Sequence, residues 1–107
     1  VADSVLTLTD QTFAAELSQP GVLLLDVWAS WCGPCRLIAP VIEWVATTYA
    51  GRLRVAKADC DANPNLVREL DVKGLPTLVL FRDGQVLQRH EGVLTQSKLA
   101  ALLDAHL

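Results

Sequence analysis

The chain has no hydrophobic stretch long enough to cross a bilayer. The run Val22-Leu23-Leu24-Leu25 stops at Asp26, and no apolar run approaches the roughly 20 residues a membrane helix needs. The start, Val1-Ala2-Asp3-Ser4, lacks a basic segment leading into an apolar core, so no secretory signal is expected in this sequence, a presequence removed beforehand remaining compatible with it. There is no excess of positive charge either. Nine Lys and Arg stand against twelve Asp and Glu, for a net charge of −3. The basic residues are scattered and offer no footprint for nucleic acid or an anionic membrane surface, which leaves proteins or small molecules as partners. Cysteine is scarce and odd in number, three in all, two of them only two residues apart; that usage suits redox or metal chemistry in a reducing compartment better than a secreted disulfide framework. No internal repeat and no low-complexity tract interrupts the chain.

What is present is the composition of a globular protein. Of 107 residues, 51% are apolar and 20% charged, and that length is typical of one domain, residues 1–107, able to bury a core without disulfide staples.

Hydrophobic periodicity orders the chain. Val5 to Leu8 reads as a short strand, and Thr9-Asp10 offers an N-cap before a helix whose Phe13 and Leu17 are four apart. Pro20-Gly21 breaks the pattern. Val22 to Ala29 then follows as an almost unbroken apolar run, the signature of a strand buried on both faces and therefore central in its sheet. After the paired cysteines, Leu37, Ile38, Val41, Ile42, Val45 and Tyr49 fall on one predicted helical stripe, closed by Gly51, with a kink expected at Pro40. Leu53 to Ala58 is a third strand. Asn63 is expected to cap a short helix with Pro64 at its first position, carrying Leu66, Val67 and Leu70 inward. Thr77 to Phe81, the turn Arg82-Asp83-Gly84-Gln85 and Val86 to Glu91 form a hairpin, and Thr95 or Ser97 caps a last helix with Leu99, Leu102 and Leu103 inward. Strands separated by helices imply parallel crossovers and the hairpin an antiparallel pair. The expected fold class is α/β: a three-layer sandwich in which helices cover both faces of a mixed sheet.

The chemistry-bearing feature is Cys32-Gly33-Pro34-Cys35. Disulfide exchange needs one thiol that is a thiolate near neutral pH and a second close enough to resolve the mixed disulfide. With a helix starting at Pro34, Cys32 stands at its N-terminus, where free N–H groups and the helix dipole favour the thiolate; it reads as the nucleophile. Cys35, one turn further in, is shielded and reads as the resolving thiol. Gly33 permits a tight backbone turn and Pro34 fixes φ at the first helical position. The alternative, half of a zinc site, lacks a second paired knuckle, with only Cys60, His90 and His106 left to supply ligands. Asp26 interrupts a buried apolar strand, so desolvation should raise its pKa; by itself it is compatible with a structural carboxyl held by hydrogen bonds.

The run Trp28-Ala29-Ser30-Trp31-Cys32-Gly33-Pro34-Cys35 resembles the active-site sequence of the thioredoxin family, and the resemblance extends over nearly the whole chain through Asp26, Pro40, Lys57, Gly74-Leu75-Pro76-Thr77, Gly84 and Gly92. It implies a thioredoxin fold, a central five-stranded mixed sheet flanked by four helices. It further implies that Asp26 lies beneath Cys35 as its general acid/base, that Lys57 moderates the charge of Asp26, and that the Leu75-Pro76 peptide is cis and faces the cysteines. A target backbone would pair beside that peptide like an added strand, on an apolar docking surface of Trp31, Gly33, Pro34, Gly74, Leu75, Pro76, Gly92 and Val93. Trp28 is expected to pack in the core, Trp31 to be exposed; Trp44 has no assigned role.

By that resemblance the chain is a protein-disulfide reductase that needs no bound cofactor. A thioredoxin reductase, NADPH- or ferredoxin-dependent, would regenerate it, and disulfide-containing proteins would be its targets. A monomer in the cytoplasm is expected, or in an organelle stroma or matrix if a presequence was removed. Two other classes stay open: an oxidant or isomerase on the same fold, whose members usually carry His before the second cysteine where this chain has Pro34, and a binding module with structural cysteines. Cys60, in Asp59-Cys60-Asp61, departs from the family pattern. Its flanking carboxylates should raise its pKa, and it reads either as a partly buried filler or as a regulatory thiol that oxidises to a second disulfide or an adduct. His90 and His106 read as surface residues.

Overall fold

A computed structural model describes residues 5–107; Val1-Ala2-Asp3-Ser4, in which no secretory signal is read, lies outside the described residues. The chain runs β1 (Val5–Thr7), α1 (Phe13–Leu17), β2 (Val22–Trp28), α2 (Gly33–Thr48), β3 (Arg54–Asp59), α3 (Pro64–Glu69), β4 (Thr77–Arg82), β5 (Gln85–Glu91) and α4 (Gln96–Asp104). The five strands form one mixed sheet in the order β1-β3-β2-β4-β5. β1 and β2 both run parallel to β3, while β4 is antiparallel to β2 and to β5. The apolar run at Val22 is therefore the middle strand, as its continuous hydrophobicity implied.

Alternation along β2 divides the core in two. Leu23, Leu25 and Val27 face one layer with Ala56, Val79 and Phe81, covered by Phe13 and Leu17 of α1 and Leu66 beside Leu70 from α3. Leu24 faces the other with Val55 and Leu80, covered by Ile38, Ile42 and Val45 of α2 and Leu99 and Leu103 of α4. Leu23, Leu24 and Leu25 are each at most 1% exposed; burying each contributes about 2 kcal/mol, which is what holds the strand carrying Asp26 rigidly in place. Among the described residues no helix is long and apolar enough to cross a membrane.

Several local expectations are corrected. Thr9-Asp10 does not cap α1: its N-cap position is Thr12, without a side-chain cap bond. The Asp10 carboxylate instead accepts from the backbone N–H groups of Leu66 at 2.8 Å and Asn65 at 3.2 Å, so it caps α3 from across the fold. Asn63 occupies the N-cap position of α3 but makes no cap bond; its Oδ1 accepts from the Asp10 N–H at 2.9 Å and its Nδ2 donates to the Asp59 carbonyl at 2.9 Å. α2 begins one residue earlier than expected, at Gly33, and continues through Pro40 to Thr48. Leu37, placed on the inward stripe by periodicity, is 68% exposed; the inward face is Cys35, Ile38, Ile42, Val45 and Ala46. Trp44 meets the ring of Tyr49 edge-on at 6.0 Å. Thr95, not Ser97, caps α4, accepting from the Lys98 N–H at 3.2 Å. The hairpin turns at Asp83-Gly84, both with positive φ (51° and 83°). A Cβ on Gly84 would lie 3.0 Å from the Leu17 carbonyl, so the turn needs glycine for its conformation and for space.

Candidate active site

The C-terminal ends of the parallel pair β2 and β3 finish side by side, Trp28 opposite Asp59, and the segments that follow build the site. Cys32 is the N-cap of α2, and its Sγ accepts a hydrogen bond from the Cys35 N–H at 3.2 Å. Cys32 and Cys35 are joined as a disulfide with their Cα atoms 5.4 Å apart. Gly33 takes the first helical position and Pro34 the second, where its missing N–H leaves no helical bond unmade. Cys32 thus sits where the first turn of the helix presents N–H groups and the positive end of its dipole.

Overall burial does not distinguish the two thiols, 4% and 5% exposed; their openings do. Cys32 lines a groove of about 580 Å³ whose walls include Trp31, Gly33 and Pro34 on one side and Gly74 and Leu75 on the other. Cys35 lines a separate cavity of about 390 Å³ with Asp26, Trp28, Arg36 and Lys57.

Asp26 is buried in β2, and among the described residues no hydrogen-bond partner reaches its Oδ1. Burial pushes its pKa from 3.8 up to about 7, opposed by the nearby positive charge of Lys57. Lys57 is exposed and lies beside Asp26 in the β2–β3 register.

Of the eight residues expected on the docking surface, Trp31, Gly33, Pro34, Gly74 and Leu75 line the Cys32 groove. The Leu75-Pro76 peptide is cis. Pro76 is buried, its carbonyl accepting from the Gly92 N–H at 2.8 Å. Gly92 is half-buried and Val93 is 41% exposed; Pro76, Gly92 and Val93 do not line the groove itself. Trp31 is 67% exposed, while Trp28 packs against Ala29, Cys32 and Cys35.

Reading the sequence missed several participants, Val72 on the groove wall among them. Asp61 accepts from the Trp31 indole N–H at 2.7 Å and so sets the angle of that ring, and Val67 and Lys73 join the groove wall. The signal for Asp61 was topological: a residue just past β3 must neighbour those just past β2. Cys60 is a free, half-buried thiol on the same wall, 3.6 Å from Asp61 Oδ1. Its pKa is raised first by burial and then by Asp61 and Asp59, so the flanking carboxylates are the secondary cause. His90 and His106 are half-buried. Among the described residues no cluster of His, Cys, Asp or Glu is arranged to hold a metal ion.

The family model described as Thioredoxin matches residues 4–105. The chain belongs to the thioredoxin family. Its sheet of five strands with four helices is the thioredoxin fold. It is 43% identical over 108 residues to the thioredoxin of Pseudomonas aeruginosa, covering 100% of both chains. It is 42% identical over 108 residues to that of Acidithiobacillus ferridurans, again covering 100% of both. With the thioredoxin of Allochromatium vinosum the identity is 42% over 106 residues, 98% of this chain and 99% of that one. Family membership and the Cys32–Cys35 pair make the chain a dithiol–disulfide oxidoreductase, a protein-disulfide reductase.

Proposed function

We propose that the chain reduces target disulfides through Cys32, resolves the adduct with Cys35, and uses Asp26 to move the proton that the second step requires. The Cys32 thiolate attacks one sulfur of the target disulfide; the S–S bond breaks, a Cys32–target disulfide forms, and the departing target thiolate takes a proton from solvent. Asp26 then accepts the Cys35 proton, and the Cys35 thiolate attacks Cys32 Sγ. The mixed disulfide breaks, the second target thiolate leaves and is protonated, and two electrons have passed to the target, leaving the Cys32–Cys35 disulfide. A carboxyl with a pKa of about 7 is matched to this transfer near neutral pH, and Lys57 keeps it from rising further. The observation that carries this reading is the separation of openings: Cys32 faces the groove, and Cys35 faces the cavity it shares with Asp26.

The groove suits an extended target segment. Trp31, Gly33 and Pro34 would cover it on one side and Gly74, Leu75 and the buried Pro76 on the other, with Gly92 and Val93 at the rim, and the Leu75 backbone next to the cis bond would pair with the target. Return to the dithiol falls to a thioredoxin reductase whose electrons come from NADPH or ferredoxin. The proposal extends to a single domain over residues 1–107, working as a monomer in the cytoplasm or an organelle stroma or matrix.

In a Cys35→Ser variant, reduced and mixed with disulfide-bonded insulin, a stable mixed disulfide should accumulate and map to Cys32 by peptide mass spectrometry. An adduct carried by Cys60, or by Cys35 in the reciprocal Cys32→Ser variant at equal yield, would overturn the assignment.

A further inference from the structure

The far wall of the Cys32 groove is a loop rather than a regular element, and its anchoring comes from the edge strand. α3 ends at Glu69 with Leu70 as its C-cap, and Asp71 follows in the left-handed region with φ 53°. The chain then passes through Val72, Lys73 and Gly74 to the cis Leu75-Pro76 peptide. Arg89 pairs with Val79 in the β4–β5 ladder, and Val79 belongs to the core layer that α3 covers, so Arg89 lies on the α3 side of the sheet. Its Nη1 donates to the Leu70 carbonyl at 2.6 Å and its Nη2 to the Asp71 carbonyl at 3.1 Å. The Leu70 carbonyl is that of the α3 C-cap and the Asp71 carbonyl lies just past it, where no helical N–H remains to satisfy them and where a cation is favoured by the dipole. Glu91, two residues further on and on the same side of β5, closes in on the loop's other end. A Cβ on Gly74 would fall 2.9 Å from its Oε2, while Thr77 Oγ1 donates to the Gly74 carbonyl at 2.5 Å.

We infer that Arg89 is a positioning residue for target docking: its two-pronged contact with the Leu70 and Asp71 carbonyls holds the α3–β4 loop so that Gly74 and Leu75 face the Cys32 groove. The inference rests on the reading that this loop receives the target. Arg89 touches neither cysteine nor the Asp26 cavity, so it acts on where a target lies and leaves thiol chemistry alone. Without it the two carbonyls turn to water, and the left-handed start of the loop keeps only the exposed Lys73–Asp71 ion pair at 3.4 Å among the described residues. Lysine supplies the charge at that position without the planar fork.

The test measures insulin reduction with dithiothreitol as reductant, alongside reduction of glutathione disulfide, which is too small to span the groove. For Arg89→Ala the insulin KM should rise about three- to tenfold, the loss expected when a charged pair of hydrogen bonds that orders a binding loop is removed. The rate with glutathione disulfide and the Cys32–Cys35 reduction potential should stay at the parent's values, and Arg89→Lys should recover part of the insulin KM. An unchanged insulin KM in Arg89→Ala, or equal losses against both substrates, overturns the inference. A Leu75→Asp variant separates this failure from that of the docking reading. If Leu75→Asp raises the insulin KM and Arg89→Ala does not, only the role of Arg89 falls. If neither raises it, the loop does not receive the target at all.

Discussion

Cys32→Ser should reduce insulin turnover by at least about 10³-fold, to the level of dithiothreitol alone, because a serine hydroxyl near neutral pH is not the anion that exchange demands. The fold should survive, since the cap position tolerates serine: its Oγ can accept the Cys35 N–H that Sγ accepts now. Loss of turnover with unchanged secondary structure therefore isolates the nucleophile. Coupled insulin-precipitation kinetics and circular dichroism of the same sample check both halves. Residual turnover within tenfold of the parent would mean that another thiol, Cys35 or Cys60, can attack first.

Asp26→Asn should stabilise the protein at and above neutral pH while slowing it. The direction follows from where the carboxyl binds its proton. Below about pH 4 the carboxyl is protonated in the folded and unfolded chains alike. As pH rises from there towards 7, the unfolded carboxyl ionises while the buried one holds its proton, so the unfolded state is progressively favoured; above that the difference is constant. The displacement from 3.8 to about 7 corresponds to about 4 kcal/mol lost across that window. The amide has no proton to lose, so the stability gap between Asp26→Asn and the parent should widen by about this amount between pH 4 and 7 and then stay level. Urea unfolding of the disulfide forms at a series of pH values measures it, and parallel curves would show that Asp26 is not held protonated. In turnover, loss of the proton acceptor should slow resolution of the mixed disulfide by about tenfold or more, most visibly near pH 7.

What could be read from the sequence tracks how local its physics is. β2 announced itself because a strand covered on both faces leaves a continuous apolar run, and Asp26 stood out because it breaks that run. Cys32 at a helix N-terminus followed from Pro34 and the stripe after it. Features that depend on a distant segment were invisible or misread. Asp10 has the composition of a cap for the helix that follows it, yet α3, brought alongside by the sheet order, takes its carboxylate. Leu37 fits the helical repeat but lies one step off the face that α2 buries. Asp61 and Arg89 act on the site only because β3 lies beside β2 and β5 at the edge beside β4, an order no local pattern encodes. The cis Leu75-Pro76 peptide was an implication of family resemblance alone.

Between a reductase and an oxidant on this fold, the difference is how strongly the dithiol is stabilised relative to the disulfide. Pro34 before Cys35 supplies no cation to hold the reduced thiolate. The reduction potential of the Cys32–Cys35 pair, titrated in dithiol/disulfide buffers and followed by tryptophan fluorescence, reads this directly. A value close to −270 mV is expected, about that of thioredoxin itself, the family's reference member; a value between about −180 and −120 mV, the range of the isomerase and oxidant, would contradict the reductase assignment.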